Sequence, residues 1–472
     1  MSYTQNDIPD FLQNVGAQLT DAEQRIDTDI LEPVIFSDSF LRFQLQNKGI
    51  LNPKSRITFS FNSPAKDSFV PLGNGIKSLV QRARLVIGGK TICEVDDWAH
   101  YDFYKSLFID QQVVKEREQY MSGRAISNGV VYNDETNDSE YVGLDLGNEF
   151  IVNATATDTN MVLKPFQKLN NQPVFSISLD ELIPCLRNQS LPLFMLKEDV
   201  QIELTLASTI GKRACFEESL HADKDTPITL NQNECRLIAD YTFLDGETMN
   251  AYAKQYSNMS YTFLEPRLTR TTLTSGADWN DQVRNVGGAG RRVPKMFVML
   301  SSDKMGKDGG NTGTQTAGHN QLTLLNDYRA IAPFSGTEAN GLYASLTVNV
   351  KKNDNFIFPI DRTNSALHYH GVQQTEGMAP QITRTMFSRH GNALANNKFE
   401  GYTINQQEQL SGQFFVNAYR FPDGERVDSR GLEVHFKYSG LDTDTAPFTQ
   451  RVYIEVEKVV SIVDGITTVD FQ

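Results

Sequence analysis

The chain has 472 residues, of which 39% are hydrophobic, 10% aromatic and 22% charged, with a formal net charge of −14. That length exceeds one ordinary core and suits two domains of roughly 200 residues each. The acid excess argues against a dedicated nucleic-acid binder, which needs basic surface to displace counterions; the mixed composition excludes a fibrous or low-complexity chain.

The first 29 residues read as an arm. Phe11, Leu12, Val15 and Leu19 line one side of a short helix after Pro9. The start MSYTQNDIPDFLQ lacks a basic region followed by an apolar run, so no secretory signal is expected. No window approaches the ~20 apolar residues that span a bilayer.

From Phe36 the period becomes two. Leu41, Phe43 and Leu45 alternate with polar residues, as do Ile57, Phe59 and Phe61. A third strand closes with Leu85 and Ile87 at Gly88-Gly89, a tight-turn signal before Thr91–Val95. Residues 96–121 read as a helical interlude, capped by Asp96 or Asp97, with Tyr101, Tyr104, Leu107 and Phe108 on one face. The polar stretch 122–170 is a long surface excursion rather than a domain linker, because β patterning resumes after it. Phe175, Ile177 and Leu179 form one strand. Val200, Ile202, Leu204 and Leu206 form the next, with Gln201, Glu203 and Thr205 facing away.

At mid-chain, CRLIADYTFLD places Leu237, Ala239, Tyr241 and Phe243 on one strand face. Asp245 then caps a helix with a Met249, Tyr252, Ala253 and Tyr256 stripe. The second half repeats the style. Tyr261 and Phe263 open it. Lys295–Leu300 (KMFVML) is apolar on both faces, as in a strand covered on both sides. Leu346, Val348 and Val350 follow, then Phe356 and Phe358. Phe414 and Val416 come next, then Leu432 to Tyr438, and finally Val452, Ile454 and Val456. Each half offers about seven or eight strands, which predicts an all-β chain of two consecutive sandwiches with short helical insertions. The expected division is an arm at 1–29, a first roll at 30–245 and a second at 246–472, with a joining helix at 245–257.

Catalytic signatures are lacking. His368 and His370 would share a strand face, but no carboxylate or cysteine stands at suitable spacing to complete a metal site. Gly306–Gly310 matches a phosphate loop in composition only, since its lysine precedes the glycines. Gly287–Arg292 (GGAGRR) reads as a turn whose two cations make an interface contact. Cys93, Cys185, Cys215 and Cys235 form no CxxC pair and are expected to stay reduced in a cytosolic or nuclear folding environment. The sequons at Asn137, Asn153, Asn188 and Asn258 read as chance matches in a chain without a signal. No catalytic, cofactor or metal residue is assigned.

Three stretches carry a resemblance. Leu191-Pro192-Leu193 leads into DVQIELTL; RLIADYTFLDGETMNAYA spans Arg236–Ala253; and Val293–Val298 reads VPKMFV. Together they resemble the double-jelly-roll major capsid proteins of eukaryotic DNA viruses, especially the virophage and polinton-like virus branch. The run before the Leu-Pro-Leu corner, DELIPCLRNQS, departs from the aromatic-rich run of giant-virus relatives.

The resemblance implies a non-enzymatic homotrimer without cofactors, closing into a pseudo-hexagonal capsomer of an icosahedral virion capsid. Its implied partners are neighbouring capsomers, penton and minor or cement proteins, and an internal membrane, with no sequence-specific nucleic-acid binding. Assembly would occur in the host cytoplasm or nucleus. The arm's Phe11, Leu12, Val15 and Leu19 are then the expected inter-capsomer or membrane contact. The competing reading is a carbohydrate-binding or carbohydrate-active β-sandwich. That role calls for exposed aromatics, and Trp98 and Trp279 are the only tryptophans.

Overall fold

A computed structural model describes residues 25–61, 69–71, 75–106, 108–110, 113, 117–122, 130–133, 138–141, 166–168, 174–187, 189–207, 229–255, 257–273, 278–302, 346–361, 373–377, 416–421, 426–439 and 448–471. The arm's four apolar residues, the His368/His370 pair and the Gly306–Gly310 run lie outside them.

In the first half the strands are β1 (Arg25–Leu31), β2 (Ile35–Ser37), β3 (Phe40–Leu45), β4 (Ile50–Leu51), β5 (Arg56–Phe59), β6 (Phe69–Pro71), β7 (Val80–Ile87) and β8 (Lys90–Asp96). They continue with β9 (Val130–Asn133), β10 (Asp138–Tyr141), β11 (Phe166–Lys168), β12 (Phe175–Ser178), β13 (Val200–Leu206) and β14 (Leu237–Phe243). The second half has β15 (Asn258–Leu273), β16 (Asp278–Gly287), β17 (Lys295–Ser302), β18 (Leu346–Lys352) and β19 (Asn355–Asp361). It closes with β20 (Val416–Arg420), β21 (Leu432–Ser439), β22 (Phe448–Val463) and β23 (Ile466–Phe471).

Four sheets build the two bodies. The first half pairs its strands in the orders β1-β14-β5-β12 and β2-β3-β13-β7-β8. The second half uses β15-β22-β17-β20 and β16-β21-β18-β19. Setting aside the short extra strands, both halves follow one rule. Of eight strands in chain order, the first, eighth, third and sixth form one sheet; the second, seventh, fourth and fifth form the other. That order is the jelly roll, and it occurs twice.

The alternation read from the sequence dictates these strands. Leu41, Phe43 and Leu45 are buried, as are Val200, Ile202, Leu204 and Leu206. The hairpin β7–β8 turns on Gly88 and Gly89, both at positive φ (58° and 75°), where a side chain would be strained. One outward-facing residue departs from expectation. Glu203 is only 5% exposed, because Arg42 on β3 and Arg84 on β7 flank it in register and each places a guanidinium nitrogen 2.7 Å from its carboxylate. Paired charges stay tolerable where a lone buried one would not.

Three expectations need correction. The helix after β8, α1, runs Trp98–Ser106 and does not extend to 121; a separate short turn, Gln119–Met121, follows. Asp97 precedes it at φ 51°, and its carboxylate is engaged by side chains rather than by the helix amides. The arm also overlaps the sheet: residues 25–29, assigned to it by sequence, belong to β1. Arg25–Leu31 escaped notice because its isoleucines face outward, so no buried apolar stripe marks it. At mid-chain, Asp245 does cap α2 (Gly246–Gln255), accepting the Thr248 amide at 2.8 Å.

Candidate functional site: the seam between the two jelly rolls

The sheet β15-β22-β17-β20 is buried on both faces. Met296, Val298, Val452, Ile454 and Val456 fill the second roll's interior. Phe297, Met299, Ala418 and Tyr453, pointing the other way, join the core of the first roll. This explains KMFVML. Its second apolar face is covered by the chain's own first half, as a strand covered on both sides requires.

The helix α1 supplies the matching surface. It follows β8 directly, so its Tyr101 and Tyr104 lie against this sheet. Tyr104 stacks on Phe297 with ring centroids 3.9 Å apart, and Phe297 stacks on Tyr453 at 4.8 Å. Such aromatic pairs add about 0.5–1.5 kcal/mol each beyond area burial.

Polar groups frame the stack, and each is paired. The Asp97 carboxylate accepts Arg451 Nε at 2.6 Å and lies 2.8 Å from His100 Nδ1, with Arg270 at 3.2 Å. The Asp97 carbonyl accepts the Tyr453 hydroxyl at 2.9 Å. Burial alone would raise the Asp97 carboxyl; His100, Arg451 and Arg270 hold it well below the usual range instead. Glu455 accepts Tyr101 Oη at 3.0 Å and Lys105 Nζ at 2.6 Å. It too is lowered against the effect of burial, by Lys105, Lys295 and the tyrosine hydroxyl. Glu376 accepts Tyr104 Oη at 2.8 Å and Lys295 Nζ at 2.8 Å. Burial, aided by the neighbouring glutamates, pushes both phenols well above their ordinary value.

A second cluster sits farther along the seam. Glu265, fully buried, accepts Lys458 Nζ at 3.0 Å and the backbone amide of Glu94 at 3.0 Å, and pairs with Arg267 at 2.6 Å. Cys93 and Cys185 lie beside it, both buried and free; burial pushes the Cys185 thiol well above its ordinary value. The β22–β23 turn completes the joint: Lys197 donates its amide to Gly465 O at 3.0 Å, and Glu198 accepts the Thr467 amide at 2.7 Å.

This arrangement holds the two bodies in one orientation. Among the described residues, no group of three or more His, Cys, Asp or Glu is placed to hold a metal, and no helix is long and apolar enough to cross a membrane. Trp98 is fully buried and so cannot serve as an exposed sugar platform. The GGAGRR turn makes contacts within the chain: Gly290 and Val427 share a backbone bond, and Arg292 lies 3.6 Å from Glu457. Sequence reading missed the seam's ionic residues. Arg451, Tyr453 and Glu455 alternate with Val452, Ile454 and Val456, which reads as an ordinary solvent face. The available signal was KMFVML, a strand with no polar face.

No family model and no curated protein matches the chain. Solved structures do. PBCV-1 VP54, as fitted into a reconstruction of the virophage Sputnik, matches with a TM-score of 0.55 at 13% identity, covering 96% of this chain and 97% of that one. A chain of the Sputnik virophage structure matches at 0.53 and 11% identity, with 96% and 89% covered. The mavirus major capsid protein matches at 0.50 and 11% identity, with 94% and 90% covered. With its two jelly rolls in series, the chain has the double jelly-roll fold of these viral capsid proteins.

Proposed function

We propose that this protein is the major capsid protein of a virus, a structural tile without turnover chemistry. The observation that carries the reading is the seam. Two jelly rolls of identical strand order are fixed side by side by buried aromatic and ionic contacts, which gives a rigid two-lobed tile. The fold shared with PBCV-1, Sputnik and mavirus capsid structures supports it. In this reading residues 25–245 and 246–472 are the two lobes and the segment 245–257 is their joint. Three chains present six lobes, a pseudo-hexagonal outline that packs edge to edge into an icosahedral shell. Cyclic closure satisfies each subunit's contacts before weaker edge contacts tile the capsomers, so errors can anneal. Residues 1–24, with Phe11, Leu12, Val15 and Leu19, serve in assembly by reaching a neighbour. Penton, minor and cement proteins and an internal membrane are the further partners.

The test is direct. Purified protein should elute as three chains of 53.1 kDa, about 159 kDa by light scattering, with hexagonal particles in negative stain. A monodisperse monomer that binds or hydrolyses glycans would reject the proposal. Truncation of residues 1–24 should leave soluble trimers and impair shell assembly.

A further inference from the structure

The open side of the first roll carries an apolar strip that its own register exposes. Strand β1 lies at the edge of its sheet among the described residues, paired over its whole length with β14 from Arg25↔Phe243 to Leu31↔Leu237. In that register Asp27, Asp29 and Leu31 oppose the buried Tyr241, Ala239 and Leu237. Ile26 and Ile30 face solvent at 62% and 61% exposure, and Val34 and Ile35 follow at 63% and 40%. These are four of the ten exposed large hydrophobics among the described residues.

A shift of one residue would invert this pattern, burying isoleucines and freeing aspartates. The chain holds the opposite choice in place. Lys48 pairs with Asp29 at 2.5 Å on the inner side, and Thr28 Oγ1 donates to Asp240 at 2.6 Å on the outer. An apolar edge face is a liability that proteins cover or charge; Arg25, Asp27 and Asp29 charge this strand, but among the described residues nothing covers Ile26 and Ile30 on its outer face.

The unused length of chain ends at this strip. Residues 1–24 run directly into Arg25, and their sequence period puts Phe11, Leu12, Val15 and Leu19 on one helical face. That stripe rises about 12 Å along a helix, and Ile26 to Ile30 spans about 13 Å of strand, so the two match in length. The five residues 20–24 reach up to ~17 Å, enough to reverse the chain or cross to a neighbour. We propose that Ile26, Ile30, Val34 and Ile35 form the docking surface for this arm. The proposal rests on the assembly role given to the arm above and names its receptor.

Cross-linking tests it on the full-length chain. Leu19→Cys with Ile30→Cys, in a Cys215→Ser background under a small-molecule disulfide oxidant, should cross-link about tenfold faster than Ala17→Cys, on the opposite side of the arm's helical period, with Ile30→Cys, as expected for a contact population favoured by roughly 1.4 kcal/mol at nearly equal tether length. An intrachain product would make the arm the molecule's own, and an interchain product would make it a neighbour's. Equal rates for the two pairs would overturn the docking site. A second variant separates this idea from the arm's role. Ile26→Thr, Ile30→Thr and Val34→Thr together change exposed positions only, so folding should survive, and shell assembly should fall to the level of the 1–24 truncation. Normal shells from this variant, with failed shells from the truncation, would sink the strip and leave the arm. Normal shells from both would sink the arm's role as well. Failed shells from the triple variant without the Leu19–Ile30 cross-link would assign the strip to another copy's folded body and overturn the proposal.

Discussion

Asp97 shows how one residue can carry two jobs. Its backbone, at φ 51°, turns the chain from β8 into α1, a conformation that Asp tolerates better than most residues. Its carboxylate meets Arg451, which is buried, and Arg270, which is half exposed. Asp97→Asn keeps the shape and the tolerance for positive φ but removes the charge. Arg451 would then lose the full anion at its Nε, whereas Arg270 can rehydrate. The expected cost is about 3–5 kcal/mol, the usual result of breaking a buried pair from one side. Urea unfolding measures it, and a loss below about 1 kcal/mol would show that the pair does not hold the seam. None of this was legible in the sequence. Asp97 and Arg451 lie 354 positions apart, and residue type alone does not pair them. Leu41, Phe43 and Leu45, by contrast, announce themselves through local alternation. Local period reveals which face is buried but not what lies across it.

At the scale of elements, the C-terminal hairpin behaves as a clip. The turn Asp464-Gly465 sits at φ 51° and 82° and presses into the loop before β13, where a Cβ on Gly465 would stand 2.6 Å from Met195 O. Gly89, in the β7–β8 turn, has a similar φ of 75° but nothing within 4 Å of its Cβ position. Comparing the two glycines isolates docking from backbone strain. Gly89→Ala should cost about 1–2 kcal/mol, the strain of a left-handed residue. Gly465→Ala should cost that and about 1–3 kcal/mol more, since the backbone oxygen must move. Denaturation midpoints at constant m-value give both figures; equal losses would mean that the clip carries no load. The Gly88-Gly89 hairpin was readable because its turn chemistry is local. The clip was not, because a turn's sequence does not say which distant loop receives it. The helix expected over 96–121 failed for a related reason. Its apolar spacing persists to Phe108, but the helix closes at Ser106, whose hydroxyl bonds back to Phe103 O at 2.6 Å.

The whole molecule should show its buried charges through its response to pH. Inside the first roll, Lys77 is 1% exposed and lies 3.1 Å from Glu181, 3.2 Å from Glu118 and 3.8 Å from Asp102. Burial would raise Glu118, yet Lys77 and Arg117 bring it from the ordinary 4.5 down to about 2. Asp97 and Glu455 in the seam are lowered in the same sense. A carboxyl depressed in the folded state stabilises folding above its unfolded value, because the unfolded chain takes the proton first as pH falls. For Glu118 that contribution is complete above about pH 5, is lost between about 4.5 and 2, and amounts to about 3 kcal/mol. The buried phenols of Tyr101 and Tyr104 act at the other end. Raised above 10 when folded, they stay neutral while the unfolded chain ionises, so stability also falls above about pH 10. Unfolding free energy at fixed ionic strength should therefore drop below about pH 4.5 and above about pH 10. The shared core should make both rolls lose structure in one transition. Glu118→Gln lowers stability at neutral pH because Lys77 loses an anion, and it flattens the acid limb because one titrating group is gone. An acid limb unchanged in that variant, or a stability that climbs from pH 5 to 3.5, would show that these carboxylates are not held by the cations packed against them.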